Sequence, residues 1–360
     1  MELIKPKALK PGDTIGIYTP SSPCHVWFKE KFEHGIKQIE KAGFKVVLGT
    51  LTEKYTSEGY RSGTPQERAE EFMQLIRYPE VKCLMSTIGG VSSNAMIEHL
   101  DFDEIAANPK IITGYSDVTS LHMAIHSYTG LVTFYGPAVI PSFGEYPLAF
   151  DYTVKSFLDA VQGHREGKRE LEPPKEWSNH FRDAFSNAWK TSKREYKENP
   201  GWYSLSTGKA KGQLIAANFN TLMACAGTTY FPKLDGKILM IEEMECELGM
   251  QERKLVQFKN MGGFQKISGL IVSKPEVYKS SDAPFELNDL LLEIIGDHDF
   301  PIMTNFDCGH THWYHCRLPD WGFSPGAVAC WGSGSGSCAC GVVEQPEDPI
   351  GRTVGQGIEN

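Results

Sequence analysis

Short apolar runs alternate with helix-like stretches through the first half of the chain. Thr14 to Thr19 reads as a buried strand between the turn Leu9-Lys10-Pro11-Gly12-Asp13 and the loop Pro20-Ser21-Ser22-Pro23. From Phe28 to Ala42 the apolar residues Phe32, Ile36 and Ile39 recur at helical spacing, and Gly43 stops the run. Phe44 to Leu48 predicts a second strand. Thr64-Pro65-Gln66-Glu67 opens another helix, with a capping threonine and a proline in the first turn. Val81 to Thr87 is a third strand, closed by Ile88-Gly89-Gly90, and Ile111-Ile112-Thr113 is a fourth. Strands separated by helices predict a parallel sheet covered on both faces. Functional groups in such sheets gather beyond the carboxyl ends of the strands.

The pattern changes near Glu166. As far as Gly201 the chain is rich in Glu, Lys, Arg, Pro and Asn, yet it carries Trp177, Phe181, Phe185 and Trp189, with Trp202 just beyond. These aromatics either pack a connecting segment onto its neighbours or meet a ligand. From Lys209 apolar periodicity returns: strands over 212–218, 237–241 and 267–272, a helix over 287–295, and an apolar lead from Pro301 to Phe306. Beyond Leu318 it is lost again. Gly332 to Ser337 is low in complexity, and Cys330, Cys338 and Cys340 crowd together. That reads as an irregular tail rather than a metal site. The predicted organisation is an α/β domain over 1–165, a connecting aromatic loop over 166–208, a mixed α/β domain over 209–318 and an atypical tail over 319–360.

Composition narrows the function. A chain of 360 residues, 41% apolar and 22% charged, has material for two ordinary globular cores. A net charge of -9 argues against a protein held to nucleic acid by phosphate contacts. No secretory signal and no membrane-length apolar run is present, which predicts a cytoplasmic protein. The nine cysteines form no CxxC pair, so neither a disulfide framework nor a structural zinc site is expected.

The chemistry centres on Lys110 to His122. A short apolar run ends in Gly114-Tyr115-Ser116-Asp117, and Val118, Leu121 and Ile125 then share one helical face. Strand, tight turn and helix with a serine at the turn describe a nucleophile elbow. The turn lifts the hydroxyl clear and sets the next N–H groups at a helix N-terminus, where an oxyanion can be held. Val118 stands where G-x-S-x-G would require glycine, and by itself the turn reads more readily as a serine helix cap. Two further strand ends supply partners, Glu242 and His310. A serine hydroxyl needs a base, and the base needs a carboxylate to fix its tautomer. Glu243 competes for the acid's role, and Cys308, His310, His312, His315 and Cys316 also permit a metal reading, although their spacing fits no standard zinc pattern.

Several segments in order resemble the LD-carboxypeptidase-type serine peptidases, in the branch of the microcin C immunity proteins (MccF-like). They are 9–16, Thr87-Ile88-Gly89-Gly90, 108–117, Thr133-Phe134-Tyr135-Gly136-Pro137-Ala138, 238–243 and Phe306-Asp307-Cys308-Gly309-His310-Thr311. The resemblance implies a flavodoxin-like or Rossmann-like N-terminal domain with a parallel sheet, joined to a C-terminal mixed α/β domain. It implies a Ser116–Glu242–His310 triad, an oxyanion hole at Gly90 and Asp117, a homodimer, and no metal or cofactor. The implied substrate is a small peptide or a peptidyl-nucleotide, cleaved at the amide between an acidic aminoacyl group and a modified nucleotide. Trp177 and Trp189 are then candidates to stack on the nucleobase, with Ser93, Asn94 and Asn218 near the same pocket. The alternatives are an LD-carboxypeptidase that trims D-alanine from murein tetrapeptides and a non-catalytic binding protein. The chain departs from the family at Ala216-Ala217, at Ser92-Ser93, and after His312, where only Leu318-Pro319 is kept. A replaced terminus there would remove a closing strand.

Overall fold

The computed structural model of the chain describes residues 3–162 and 171–310, other than 181, 183 and 187. The tail over 319–360, with its three crowded cysteines, and His312, His315, Cys316 and Phe181 lie outside the described residues.

Five parallel strands form the first sheet: β1 (Thr14–Tyr18), β2 (Lys45–Leu48), β3 (Val81–Ser86), β4 (Ile111–Gly114) and β5 (Phe134–Tyr135), in the order β2-β1-β3-β4-β5. That is the flavodoxin-like order. β1 and β4 are buried at every residue, as a sheet covered on both faces requires. Tyr18, Phe72, Ile76, Leu84, Ile112 and Leu121 fill one side; Ile15, Ile17, Phe32, Ile39, Met85 and Phe143 fill the other. The helix foreseen over 28–42 runs Lys29–Lys41, behind a separate short turn of helix at Cys24–Trp27. The helix foreseen at Thr64 runs Pro65–Arg77. Its capping box is complete: Thr64 Oγ1 accepts from Glu67 N–H, and the Glu67 carboxylate accepts from Thr64 N–H at 2.9 Å.

The connecting segment is stapled at both ends. A two-residue ribbon pairs β6 (Glu176–Trp177) antiparallel with β7 (Lys197–Glu198). Arg182 and Arg194 both reach the buried Glu145 carboxylate, Arg194 at 3.1 Å. Phe185 lies edge-on to Phe28 with ring centroids 4.6 Å apart. On the other side Asn199 and Trp202 donate to Asp307, at 2.9 and 2.8 Å.

The second sheet holds β8 (Tyr203–Ser206), β9 (Leu214–Asn218), β10 (Ile238–Glu242), β12 (Gly269–Ser273) and β14 (Ile302–Phe306), in the order β8-β14-β12-β10-β9. β8 is antiparallel and the rest are parallel, which makes the sheet mixed. Two short strands, β11 (Glu245–Glu247) and β13 (Val277–Lys279), pair outside it. One face packs on helices through Phe219, Leu255, Phe258 and Leu290. The other face meets the first half of the chain: Leu214, Ala216, Ile238, Met240, Ile271 and Phe306 share a cluster with Tyr115 and Tyr135. The carboxyl ends of β4 and β10 are thereby brought together.

Candidate active site

Ser116 follows β4 after one residue and opens a short 3-10 turn, Ser116–Val118, that runs into the helix Thr119–Thr129. Its φ is +62°, in the left-handed region that a non-glycine residue adopts only when its surroundings hold it there. Several bonds hold it. The Ser116 N–H donates to the Tyr135 hydroxyl at 3.0 Å. Asp117 Oδ2 accepts from Ser92 N–H and Ser93 N–H at 2.9 and 2.8 Å, and Ser93 Oγ donates to the Asp117 carbonyl at 2.6 Å. The Ser116 side chain itself stays partly exposed.

The Gly89-Gly90 loop passes directly over this turn. A Cβ on Gly89 would lie 3.2 Å from Ser116 Oγ and 3.1 Å from Asp117 N. Gly90 has a φ of +146°, and a Cβ there would run into the Ser21 hydroxyl. Gly90 is thus fixed by both conformation and space, and Gly89 gives the tight approach to the turn its room. Ser21 Oγ in turn accepts from Val91 N–H and Ser92 N–H, both at 3.0 Å. Arg68, buried beneath, donates to the carbonyls of Pro20 at 2.6 Å, Ser92 at 2.9 Å and Gly63 at 3.1 Å.

Glu242 is the last residue of β10, and His310 sits beyond β14 after a three-residue loop. Gly309, at φ +83°, packs on the Glu242 carboxylate where any Cβ would collide. The carboxylate side chain is fully buried, and Oε2 meets His310 Nδ1 at 2.7 Å and His310 N–H at 3.2 Å. A carboxylate only accepts, so Nδ1 carries the proton and Nε2 of the neutral ring is left able to accept one. Tyr135 Oη donates to Oε1 at 2.5 Å and Asn218 Nδ2 donates to the same oxygen at 3.0 Å. Burial would push the Glu242 carboxyl up, but the His310 charge and these hydrogen bonds outweigh it and hold the group below its ordinary range. For His310, burial alone would disfavour the imidazolium. The Glu242 charge and hydrogen bond reverse that, with Glu276 and Glu243 adding to them, so the ring titrates above its ordinary value. Glu243, the rival acid, turns away to an ion pair with Lys254.

Ser116 and the Glu242–His310 pair share a wall. The Tyr115 ring lies edge-on to His310 with centroids 5.0 Å apart. Among the described residues no hydrogen bond joins the Ser116 hydroxyl directly to His310; the two halves connect through Tyr135. Catalytic contacts of this kind commonly close only around substrate. No group of three or more His, Cys, Asp or Glu side chains among the described residues is arranged to hold a metal. No helix among them is long and apolar enough to cross a membrane.

The residues expected at substrate occupy different settings. Asn218 is buried: its amide N–H groups go to Glu242, and its carbonyl accepts from Thr221 N–H at 3.0 Å, so it orients the acid and caps a helix. Ser93 is also buried and its hydroxyl is committed to Asp117, so it braces the elbow. Trp189 is 7% exposed, between Tyr146 and His34, so it can stack on a base only if the loop is displaced. Trp177 keeps a partly exposed ring, with Lys274 Nζ 5.5 Å from its centroid. Asn94 is exposed in the short 3-10 helix Ser93–His99 that follows the Gly89-Gly90 loop. Tyr135 went unassigned in the sequence: it stands within one of the matching segments, but nothing local marks a tyrosine on a two-residue strand as a link between two sheets.

Residues 15–136 match the family model described as the LD-carboxypeptidase N-terminal domain, and residues 211–318 match that described as the LD-carboxypeptidase C-terminal domain. The chain is 40% identical over 302 residues to the microcin C7 self-immunity protein MccF of Escherichia coli, covering 84% of this chain and 87% of that protein. It is 30% identical over 311 residues to a Bacillus subtilis protein named "Probable murein peptide carboxypeptidase", covering 85% of this chain and 86% of the relative. The solved structure of MccF in complex with aspartyl sulfamoyl adenosine superposes with a TM-score of 0.79 at 37% identity, covering 86% of this chain and 91% of that one.

Proposed function

The chain belongs to the LD-carboxypeptidase family of serine peptidases, and on that premise we propose that it hydrolyses the amide between an acidic aminoacyl or peptidyl group and a modified nucleotide. The carrying observation is the buried Glu242–His310 hydrogen bond beside a positive-φ serine. The choice of substrate rests on the likeness to a protein whose structure holds aspartyl sulfamoyl adenosine.

In this reading Ser116 Oγ attacks the acyl carbon and its proton passes to His310 Nε2. Glu242 holds the imidazolium through Nδ1. The N–H groups of Gly90 and Asp117 take the oxyanion; the Ser116 N–H is committed to Tyr135 and does not compete. An oxyanion donor of this kind is typically worth about 10²- to 10³-fold in kcat. His310 then protonates the departing nitrogen, and water, deprotonated by the same ring, releases the acyl group from Ser116. Trp177, with its partly exposed ring, stacks on the base in this reading, a contact worth ~1–3 kcal/mol in nucleic-acid binders.

The test is a paired assay of wild type and Ser116→Ala on aspartyl sulfamoyl adenosine and on an L,D-tetrapeptide ending in D-alanine. Release of aspartate by wild type alone supports the reading. Cleavage of the tetrapeptide alone would replace it with murein trimming, the activity named for the Bacillus subtilis relative.

A further inference from the structure

Tyr135 belongs to neither sheet's chemistry in isolation. It is opposite Gly114 in the β4–β5 register, two residues before Ser116, and its ring is buried between Tyr115 and His122. Its hydroxyl reaches out of the first sheet to the end of β10 in the second. There it makes two bonds whose directions are fixed by their partners. The Ser116 N–H can only donate, so the hydroxyl accepts, at 3.0 Å. The Glu242 carboxylate can only accept, so the hydroxyl donates, at 2.5 Å.

We propose that Tyr135 is a positioning residue that couples the nucleophile's backbone to the triad acid across the two halves of the chain. The proposal rests on the triad reading given above. One bond satisfies the amide of a left-handed serine, which the elbow itself leaves without a helical partner. The other, with Asn218, fills Glu242 Oε1, so that only Oε2 faces His310. Moving the hydroxyl would therefore disturb nucleophile and acid together. It would also concentrate the carboxylate's charge on the imidazole, because a carboxylate that loses a donor is a more basic partner.

Tyr135→Phe removes one oxygen and keeps the ring. In the full chain, kcat/KM for aspartyl sulfamoyl adenosine should fall about 10- to 100-fold, chiefly through kcat, as expected for a lost hydrogen bond to a charged group. The His310 ring, followed by NMR, should titrate roughly 0.5–1 pH unit higher. The other charges that act on it, Glu243 with its Lys254 partner and Glu276, are untouched by the substitution. In a Glu242→Gln background the same Tyr135→Phe change should leave the His310 titration where it is. A general loosening of the fold would not show that dependence.

An unmoved His310 titration in the single variant, or a shift that persists with Gln at 242, overturns the proposal. If wild type hydrolyses neither substrate, the functional reading fails and the titration still decides the role of Tyr135. Should Tyr135→Phe not fold, Asn218→Ser removes the other donor from Oε1 while keeping a helix cap, and it must raise the His310 titration for the proposal to stand.

Discussion

Glu242, at the end of one strand, and His310, beyond the end of another, meet at 2.7 Å, and each works against what burial alone would do to the other. The carboxyl is held below its ordinary range and the imidazole above its own. Their contributions to stability follow with opposite signs. The Glu242 contribution is present above the unfolded carboxyl's pKa and is lost as pH falls through the folded one. The His310 contribution is present below the unfolded histidine's pKa and is lost as pH rises through the folded one. Both act fully only between about pH 4.5 and 6.5. In the proposed mechanism catalysis needs neutral His310 and so favours higher pH. The acid limb of kcat/KM should lie above the ordinary histidine value, while the stability difference between wild type and Glu242→Gln peaks below it. Urea midpoints and pH–rate profiles measured over the same range check both statements.

Glu242→Gln should fold and lose about 10⁴-fold in kcat, the scale for a triad carboxylate turned into an amide. Ser116→Ala should lose at least as much. The two losses should not add in the double variant, because a group that orients the base has nothing left to orient once the nucleophile is gone. Single-turnover rates of the three variants give the comparison.

Gly90→Ala places a methyl against the Ser21 hydroxyl, 2.5 Å from the Ser22 hydroxyl, at a φ of +146°. The loop must move, and the N–H assigned to the oxyanion moves with it. A kcat loss of about 10²- to 10³-fold is expected, with about 1–3 kcal/mol of stability lost to the backbone conformation. A wild-type kcat in this variant would remove Gly90 from the oxyanion hole.

Arg68 is 1% exposed and ties the loops at Pro20, Gly63 and Ser92 together. Arg68→Met fills the space but leaves buried carbonyls without a donor, each costing about 1–3 kcal/mol. Arg68→Lys keeps the charge but has no planar fork to span three carbonyls. Both should lower the urea midpoint, and both should slow turnover because the Ser92-Ser93 turn that grips Asp117 loses its brace.

Glu145 receives two arginines from the connecting segment, and all three side chains are almost wholly buried. Glu145→Gln removes the carboxylate charge that both guanidinium groups reach, a loss on the order of 3–5 kcal/mol where a buried pair is broken. Proteolytic cleavage between 176 and 198 should accelerate, and KM should rise more than kcat falls. An unchanged cleavage pattern would show that the segment is held without the Glu145 ion pairs.

What the sequence determined by itself was local. Apolar period and length marked the buried strands that became β1, β3, β4 and β10. Thr64, Pro65 and Glu67 marked a helix start, because a capping box is made by residues three apart. Gly-Tyr-Ser-Asp at the end of an apolar run marked the elbow, and the order of motifs placed Glu242 and His310 as candidate partners. What only the tertiary structure decided was how distant positions meet. Asn218 holds Glu242 because β9 and β10 pair in the register that sets those two residues side by side. Tyr135 joins Ser116 to Glu242 because β5, two residues long and without a period to read, docks against the other half's sheet. Glu145 finds Arg182 and Arg194 across 37 and 49 residues of chain. Strand period and helix caps arise from neighbours a few residues apart and are written locally. Register and sheet-to-sheet docking arise from the packing of whole elements, and no single stretch of sequence carries them.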